Sequence, residues 1–362
     1  MITFIVVVAA LVLAVYLFMR QPKFGAKPTG KRLQHILASS NYKDGAFQNL
    51  SHTPQLAEDT KMSEVLFKFF FGKSKRNVPS KPIPTLKTDL KDLPADENVL
   101  VWFGHSSYFI QADGKTLLAD PVFSGNASPL GNVPAFKGSD AYSVDDMPEI
   151  DFLFISHDHW DHLDYDTVKQ LLPKVKQVVT GLGTGAHLER WGYKPEKITE
   201  LDWYEAATFG DFKFIAQPAR HFSGRSFKRN GTLFISSVWQ TPSFKLYLGG
   251  DSGFDTHFEK IGQEHGPFDL AILECGQYNH AWHYIHMMPE EVVTAAQQLG
   301  AKTLMPVHWA KFALALHDWD EPIERVVTAA ENERQVTITP MIGEKVSLNT
   351  PDNFRKWWQE VE

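Results

Sequence analysis

Ser156-His157-Asp158-His159-Trp160-Asp161-His162, directly after the apolar run 152–155 (Phe-Leu-Phe-Ile), decides how this chain is read. The run is short and continuous, as a buried strand is. Four candidate ligands, His157, His159, Asp161 and His162, then occur within six residues. His157 and His159 are two apart, so in extended chain they project to one side. Asp161 and His162 fall where a helix over about 164–172 begins, and point back into the same space. One strand-to-helix turn therefore offers two ligands to each of two metals. Histidines crowded this closely repel when protonated and gain little as core residues. Neutral imidazoles with a carboxylate suit zinc or another borderline divalent ion.

Further ligands must come from distant segments. His221 follows the strand-like run 212–216, Asp251 follows 245–248, and His308 follows 303–306. Each is a polar residue at the carboxyl end of a strand, where function gathers on a rigid scaffold. The runs 99–103, 107–111, 116–119, 177–180, 233–239 and 270–273 also read as strands. Residues 289–299 and 322–332 read as helices, the first with Pro289 at its start, Glu290 and Glu291 in its first turn and Gly300 at its close. The pattern is α/β, two sheets with helices outside.

The 362 residues make one large domain or two ordinary ones. With 43% hydrophobic and 13% aromatic residues, a full core is affordable and disorder is excluded. The 36 Lys+Arg against 43 Asp+Glu give a net charge of −7, which argues against a nucleic-acid partner. The single cysteine, Cys275, excludes an intramolecular disulfide and a thiolate zinc cluster, and it reads as buried rather than reactive; any metal must use the 15 histidines and the carboxylates. No G-x-S-x-G or P-loop motif stands out, which disfavours a serine hydrolase or a nucleotide-binding reading.

Residues 1–20 read as a transmembrane anchor. Ile2–Met19 carries no formal charge, and as a helix it is about 27 Å long, near the hydrocarbon thickness of a bilayer. A cleaved signal peptide is the rival reading, but no Lys or Arg precedes the run and no small-x-small site follows it. Arg20, Lys23, Lys27, Lys31 and Arg32 place the following domain on the cytoplasmic face of the inner membrane, as a single-pass protein. Residues 21–95 read as a linker and N-terminal arm, 96–350 as the main domain and 351–362 as a tail that either docks on the core or touches a neighbour. Within the arm, the aromatic stretch 63–72 beside Lys73, Lys75 and Arg76 suits either an interfacial helix on anionic lipid or a helix packed on the core.

Taken together, Gly104-His-Ser-Ser-Tyr-Phe-Ile, Leu118-Ala-Asp-Pro-Val-Phe, Ser156-His-Asp-His-Trp-Asp-His-Leu-Asp164, Gly249-Gly-Asp-Ser-Gly, His286-Met-Met-Pro-Glu-Glu and Val307-His-Trp-Ala-Lys-Phe-Ala-Leu314 resemble the metallo-β-lactamase superfamily. Within it the sequence is most similar to the N-acylphosphatidylethanolamine-hydrolysing phospholipase D family and its bacterial relatives. The resemblance implies an αββα sandwich of two mixed sheets flanked by helices. It implies two divalent ions, expected to be zinc: His157, His159 and His221 on the first, Asp161, His162 and His308 on the second, Asp251 bridging. It gives Asp120 the task of orienting a ligand imidazole, with His105 in similar work, and sets His280, His283 and His286 along the substrate edge. Asp161 and His286 are the catalytic candidates. The implied reaction is phosphodiester hydrolysis of a membrane phospholipid, of N-acyl phosphatidylethanolamine type, by a metal-bound hydroxide; the alternative is a lactonase or other small-molecule hydrolase on the same scaffold. Oligomerisation is left open. A cytoplasm-active reporter fused after Glu362 is expected to be active, and activity of a periplasm-only reporter there would reverse the orientation.

Overall fold

The computed structural model describes residues 1–350 and 354–361; residues 351–353 and Glu362 of the expected tail, Asn353 among them, lie outside the described residues. A small hairpin, β1 (Tyr42–Lys43) and β2 (Ala46–Phe47), belongs to the arm. The main strands are β3 (Val99–Trp102), β4 (Tyr108–Ala112), β5 (Lys115–Ala119), β6 (Ile150–Ile155), β7 (Val175–Gly181), β8 (Ile198–Leu201) and β9 (Ala206–Phe209). They continue with β10 (Phe212–Pro218), β11 (Ile235–Gln240), β12 (Lys245–Leu248), β13 (Phe268–Glu274), β14 (Ala301–Val307) and β15 (Lys345–Ser347). They form two mixed sheets, ordered β15-β3-β4-β5-β6-β7-β8 and β14-β13-β12-β11-β10-β9.

Side-chain alternation along β6 explains how the layers stack. Phe152 and Phe154 point to the other sheet, where the Phe152 ring lies 5.2 Å from Phe214 of β10. Leu153 and Ile155 point outward to Leu163, to Val168 and Leu171 of α4 (Tyr165–Leu171), and to Leu188 of α5 (Gly185–Arg190). Across the molecule, α7 (Pro289–Gln298) covers β13 and β14 with Val292 and Val293, and α6 (His257–His265) and α8 (Glu321–Glu333) pack beside it, burying Phe258, Ile261, Ile323 and Val326. The order helix, sheet, sheet, helix is the expected sandwich.

Besides the two strands of the arm hairpin, three short strands of the main sheets were not evident in the sequence: β8, β9 and β15. β9 is an edge strand of the sequence Ala-Ala-Thr-Phe with alternating exposure, too weakly apolar to stand out.

Strands β10, β12, β13 and β14 run in one direction, because β11 is antiparallel to both β10 and β12 while β12, β13 and β14 are parallel. Their carboxyl ends therefore share one edge, and the end of β6 meets it: Ile235 N donates to Ser156 O at 3.0 Å. Gly250, at φ +61°, permits that approach, since a Cβ there would stand 2.7 Å from Ser156 Cβ.

Residues of the arm pack on the main strands. Phe47 and Ile83 are buried in the core, as is Ile36 of α2 (Gly30–Ala38). The tail also docks: Trp357 and Trp358 are fully buried against Trp309, with ring centroids 5.2 and 5.7 Å from it. The 63–72 stretch forms α3 (Met62–Phe71), of which only Val65 is buried, while Phe67, Phe70 and Phe71 are 63–77% exposed. It is thus a helix largely off the core.

The first run forms α1 (Ile2–Met19), mostly apolar and exposed from Thr3 to Leu17. Among the described residues, however, no helix is long and apolar enough to cross a membrane, so the expected anchor is without structural support; the side chain of Ile2 is not among those described. One of the flanking cations is also spoken for, since Arg32 pairs with Glu189 and Glu200 of the domain. Trp357→Ala, which removes a stacked and fully buried ring, is expected to cost about 3–5 kcal/mol, read as a lower urea midpoint.

Candidate metal centre

At the shared edge the strand ends bring two quartets together: His157, His159, His221 and Asp251, and His105, Asp161, His162 and His308. Within each, the candidate ligand atoms lie within 4.8 Å of one another. Asp251 touches both. Its Oδ2 is 3.2 Å from His162 Nε2 and 3.7 Å from His221 Nε2, and its Oδ1 is 3.2 Å from His308 Nδ1. All seven residues expected as ligands converge. His105, expected only to orient a ligand, stands inside the second quartet with Nε2 2.9 Å from Asp161 Oδ2.

The surroundings set which ring nitrogen faces inward. His162 Nδ1 donates to Asp120 Oδ2 at 2.8 Å, which turns its Nε2 to the centre. His221 Nδ1 donates to Ile285 O at 2.9 Å, with the same result. Ser156 Oγ lies 3.0 Å from His157 Nδ1 and donates to Asp120 at 2.5 Å. Asp120 thus stands against the imidazole of His162, at the place expected for an orienting carboxylate.

The donor set fits divalent ions. His157 Nε2 and His221 Nε2 lie 2.8 and 3.2 Å from His159 Nδ1, a convergence of lone pairs that no hydrogen-bond network requires. His162 Nε2 and Asp251 Oδ1 are buried without a hydrogen-bond partner. Burial, reinforced by neighbouring imidazoles, holds His157 well below the usual histidine range; burial outweighs Asp251 at His221 and His308, which are lowered too. Burial alone would lower His162 as well, but Asp251 and Asp161 outweigh it and hold it well above the usual range. The carboxyls of Asp161 and Asp251 are held below their usual range despite burial, His162 contributing most to each.

Three residues near the site went unnoticed in the sequence. Asp158, between two ligand histidines, points to the opposite side: its Oδ2 lies 3.2 Å from His187 Nε2 and its Oδ1 accepts from Gly224 N at 2.6 Å. Burial raises its carboxyl, but His187 and Arg225 bring it down to about 2. Arg225 braces the whole loop, its Nη1 donating to Asp158 O at 2.9 Å and Leu163 O at 2.6 Å. Glu274, fully buried at the end of β13, accepts from Met287 N at 2.9 Å and lies 3.3 Å from His286 Nδ1. The one available signal for it was a carboxylate closing an apolar run.

His286 reaches the centre, in a third group with Asp251 and His308. His280 and His283 do not join these groups and lie on the short turn before it. Cys275 is buried, and burial pushes its thiol well up.

Two outcomes are expected. Metal must displace the His162 proton, so apparent zinc affinity should climb as pH rises toward that histidine's raised pKa and level off above it; a competition titration with proton counting reads both. Asp120→Asn, which removes the carboxylate behind His162, should weaken metal binding by about 10–100-fold.

Residues 115–309 match the family model described as beta-lactamase superfamily domain. An uncharacterized protein of Mycobacterium tuberculosis is 39% identical over 326 residues, 89% of this chain and 88% of its own length. N-acyl-phosphatidylethanolamine-hydrolyzing phospholipase D 1 of Caenorhabditis elegans is 28% identical over 266 residues, 68% of this chain and 73% of its own. The metallo hydrolase Igni18 of the archaeon Ignicoccus hospitalis shares the fold, with a TM-score of 0.55 at 18% identity over 72% of this chain and all of that one. The chain thus belongs to the metallo-β-lactamase superfamily, as a metal-dependent hydrolase.

Proposed function

We propose that this hydrolase is a phosphodiesterase of phospholipase D type, cleaving N-acyl phosphatidylethanolamine-like lipids at a pair of zinc ions. His157, His159 and His221 would hold one ion and Asp161, His162 and His308 the other, with Asp251 between them. A bound pair of such ions supplies Lewis acidity and an activated water. The likeness to a nematode enzyme named for this activity favours the substrate class.

The observation that carries the lipid reading is the path from α3 to the centre. Phe69 of α3 stacks on Trp282 at 5.9 Å. Trp282 O accepts from Ile285 N at 3.1 Å, closing the turn that presents His286, whose ring lies 5.1 Å from His221 and 5.4 Å from His308. An exposed aromatic face thus leads to the catalytic edge, and apolar chains of a lipid suit the one while its phosphate meets the other. The exposed apolar residues of α1, followed by Arg20, Lys23 and Lys27, suit contact with a membrane surface.

Two groups of this chain handle the proton. Burial pushes Glu274 up to about 7. Burial lowers His286, but Glu274 outweighs it and keeps the imidazole protonated above its usual range. His286 then presents an N–H to a phosphoryl or leaving oxygen, and Asp161, holding His105 Nε2 at 2.9 Å, orients the attacking water.

Zinc-loaded protein should release phosphatidic acid from a fluorescent N-acyl phosphatidylethanolamine, and His159→Ala should abolish this. Turnover of lactones with an untouched phospholipid panel would defeat the proposal. As an acid, His286 is active below its pKa, so the rate should fall as pH rises through it. Glu274→Gln removes the partner that raises that pKa, and should move the alkaline limb of the kcat profile to lower pH. His286→Ala should lower kcat by about 10²-fold or more.

A further inference from the structure

His221 lies three residues past the last rung between β10 and β11, the pair Pro218 and Ile235. The ladder therefore offers its main chain nothing to bond. Its peptide groups pair instead with one side chain of the arm: Asn49 Oδ1 accepts from His221 N at 3.0 Å, and Asn49 Nδ2 donates to His221 O at 2.8 Å. The two residues are 172 positions apart in the chain. His221 is 1% exposed, so water is a poor substitute for either bond.

Asn49 is itself held on both sides. Phe47, fully buried, donates from its N to Asn230 O at 2.9 Å. On the other side, Arg220 donates from Nη2 to His52 O at 2.7 Å and from Nε to Thr53 Oγ1 at 3.0 Å. The arm segment 47–53 is thus pinned against the segment that carries His221. Ile285 O fixes the turn of the imidazole through Nδ1, and Asn49 fixes where the main chain stands. His221 Nε2 then lies 3.2 Å from His159 Nδ1 and 3.7 Å from Asp251 Oδ2.

We propose that Asn49 is a positioning residue of the metal centre, holding the main chain of His221 so that its Nε2 meets the ion shared with His157 and His159. The proposal rests on the ligand set given above and not on the identity of the substrate. The side-chain amide is what the position requires. Asparagine presents donor and acceptor in one plane, matching the N–H and C=O of a single residue. Aspartate accepts from that N–H but sets its second oxygen against His221 O, and alanine leaves both groups unpaired. Metal–ligand distances hold to about 0.2 Å, so a small drift of the main chain is enough to loosen the ion. The arm is then part of the metal centre, although none of the seven expected ligands comes from it.

The test is zinc binding to the full-length protein, read by competition with a chelator, with the visible spectrum of the cobalt(II)-loaded protein as a second readout. His221→Ala marks the ion concerned. Asn49→Ala and the isosteric Asn49→Asp should each weaken that same ion by about 10–100-fold, the usual cost of losing a group that orients a ligand. Both should also change the shape of the cobalt spectrum, which reports the geometry of the ligands. Ile36→Val serves as the control: Ile36 is buried on the arm, and trimming it loosens the arm without touching His221. It should lower the melting temperature of the metal-free protein and leave zinc affinity and the cobalt spectrum as in wild type. Wild-type affinity and spectrum in both Asn49 variants, with His221→Ala still weakened, overturns the proposal. So does an Asn49 effect no larger than that of Ile36→Val, which assigns Asn49 to the fold alone. Zinc binding indifferent to His221→Ala overturns the ligand set itself, and this proposal with it.

Discussion

Asp251 is the side chain on which the rest of the site turns. Its carboxylate stands within 3.2 Å of one histidine and 3.7 Å of another in different quartets, buried to 3% exposure. A carboxylate so buried needs positive charge, and the imidazoles beside it are mostly held neutral by the same burial. Without metal, His162 is pushed strongly toward the charged form, and His286 is raised as well. Divalent ions resolve that imbalance, which ties the charge state of the loop to the metal-dependent chemistry of the superfamily.

The scaffold accepts local strain to hold these groups. His105, Asp120 and His308 all have positive φ, at 52°, 39° and 71°, a conformation that non-glycine residues adopt rarely and mostly at functional positions. Two of them brace one another: His308 N donates to His105 O, and His105 N donates to Trp309 O, both at 2.9 Å. Trp309 in turn packs among Trp102, Trp357 and Trp358. The tail, at the far end of the chain, thereby supports the loop that carries His308.

The two faces of the histidine loop carry different duties because extended residues alternate. His157 and His159 go to the centre, while Asp158 between them goes to His187 and Gly224. Arg225 clamps the loop from that second face and links it to the segment leaving α1. The arm is thus bound to the same loop it surrounds, and Asn49 reinforces this by exchanging hydrogen bonds of 2.8 and 3.0 Å with the backbone of His221.

Much of the fold and the ligand set could be read from the chain itself, because both are short-range signals. Apolar runs mark β6, β10, β12 and β14, and a ligating residue directly after a strand end keeps its meaning wherever the strand is placed. Edge strands such as β9 and short helices such as α5 carry too little periodicity to announce themselves. The membrane-spanning length expected of α1 is likewise not met among the described residues. Glu274, Asp158 and Arg225 needed the tertiary structure, since each acts through partners far away in sequence, and so did the place of His105 inside the second quartet. Residue order determined which groups could bind metal; only the packing of one sheet on the other decided that Asp251 would face both quartets, because no local rule brings the ends of β6, β10, β12 and β14 to one edge.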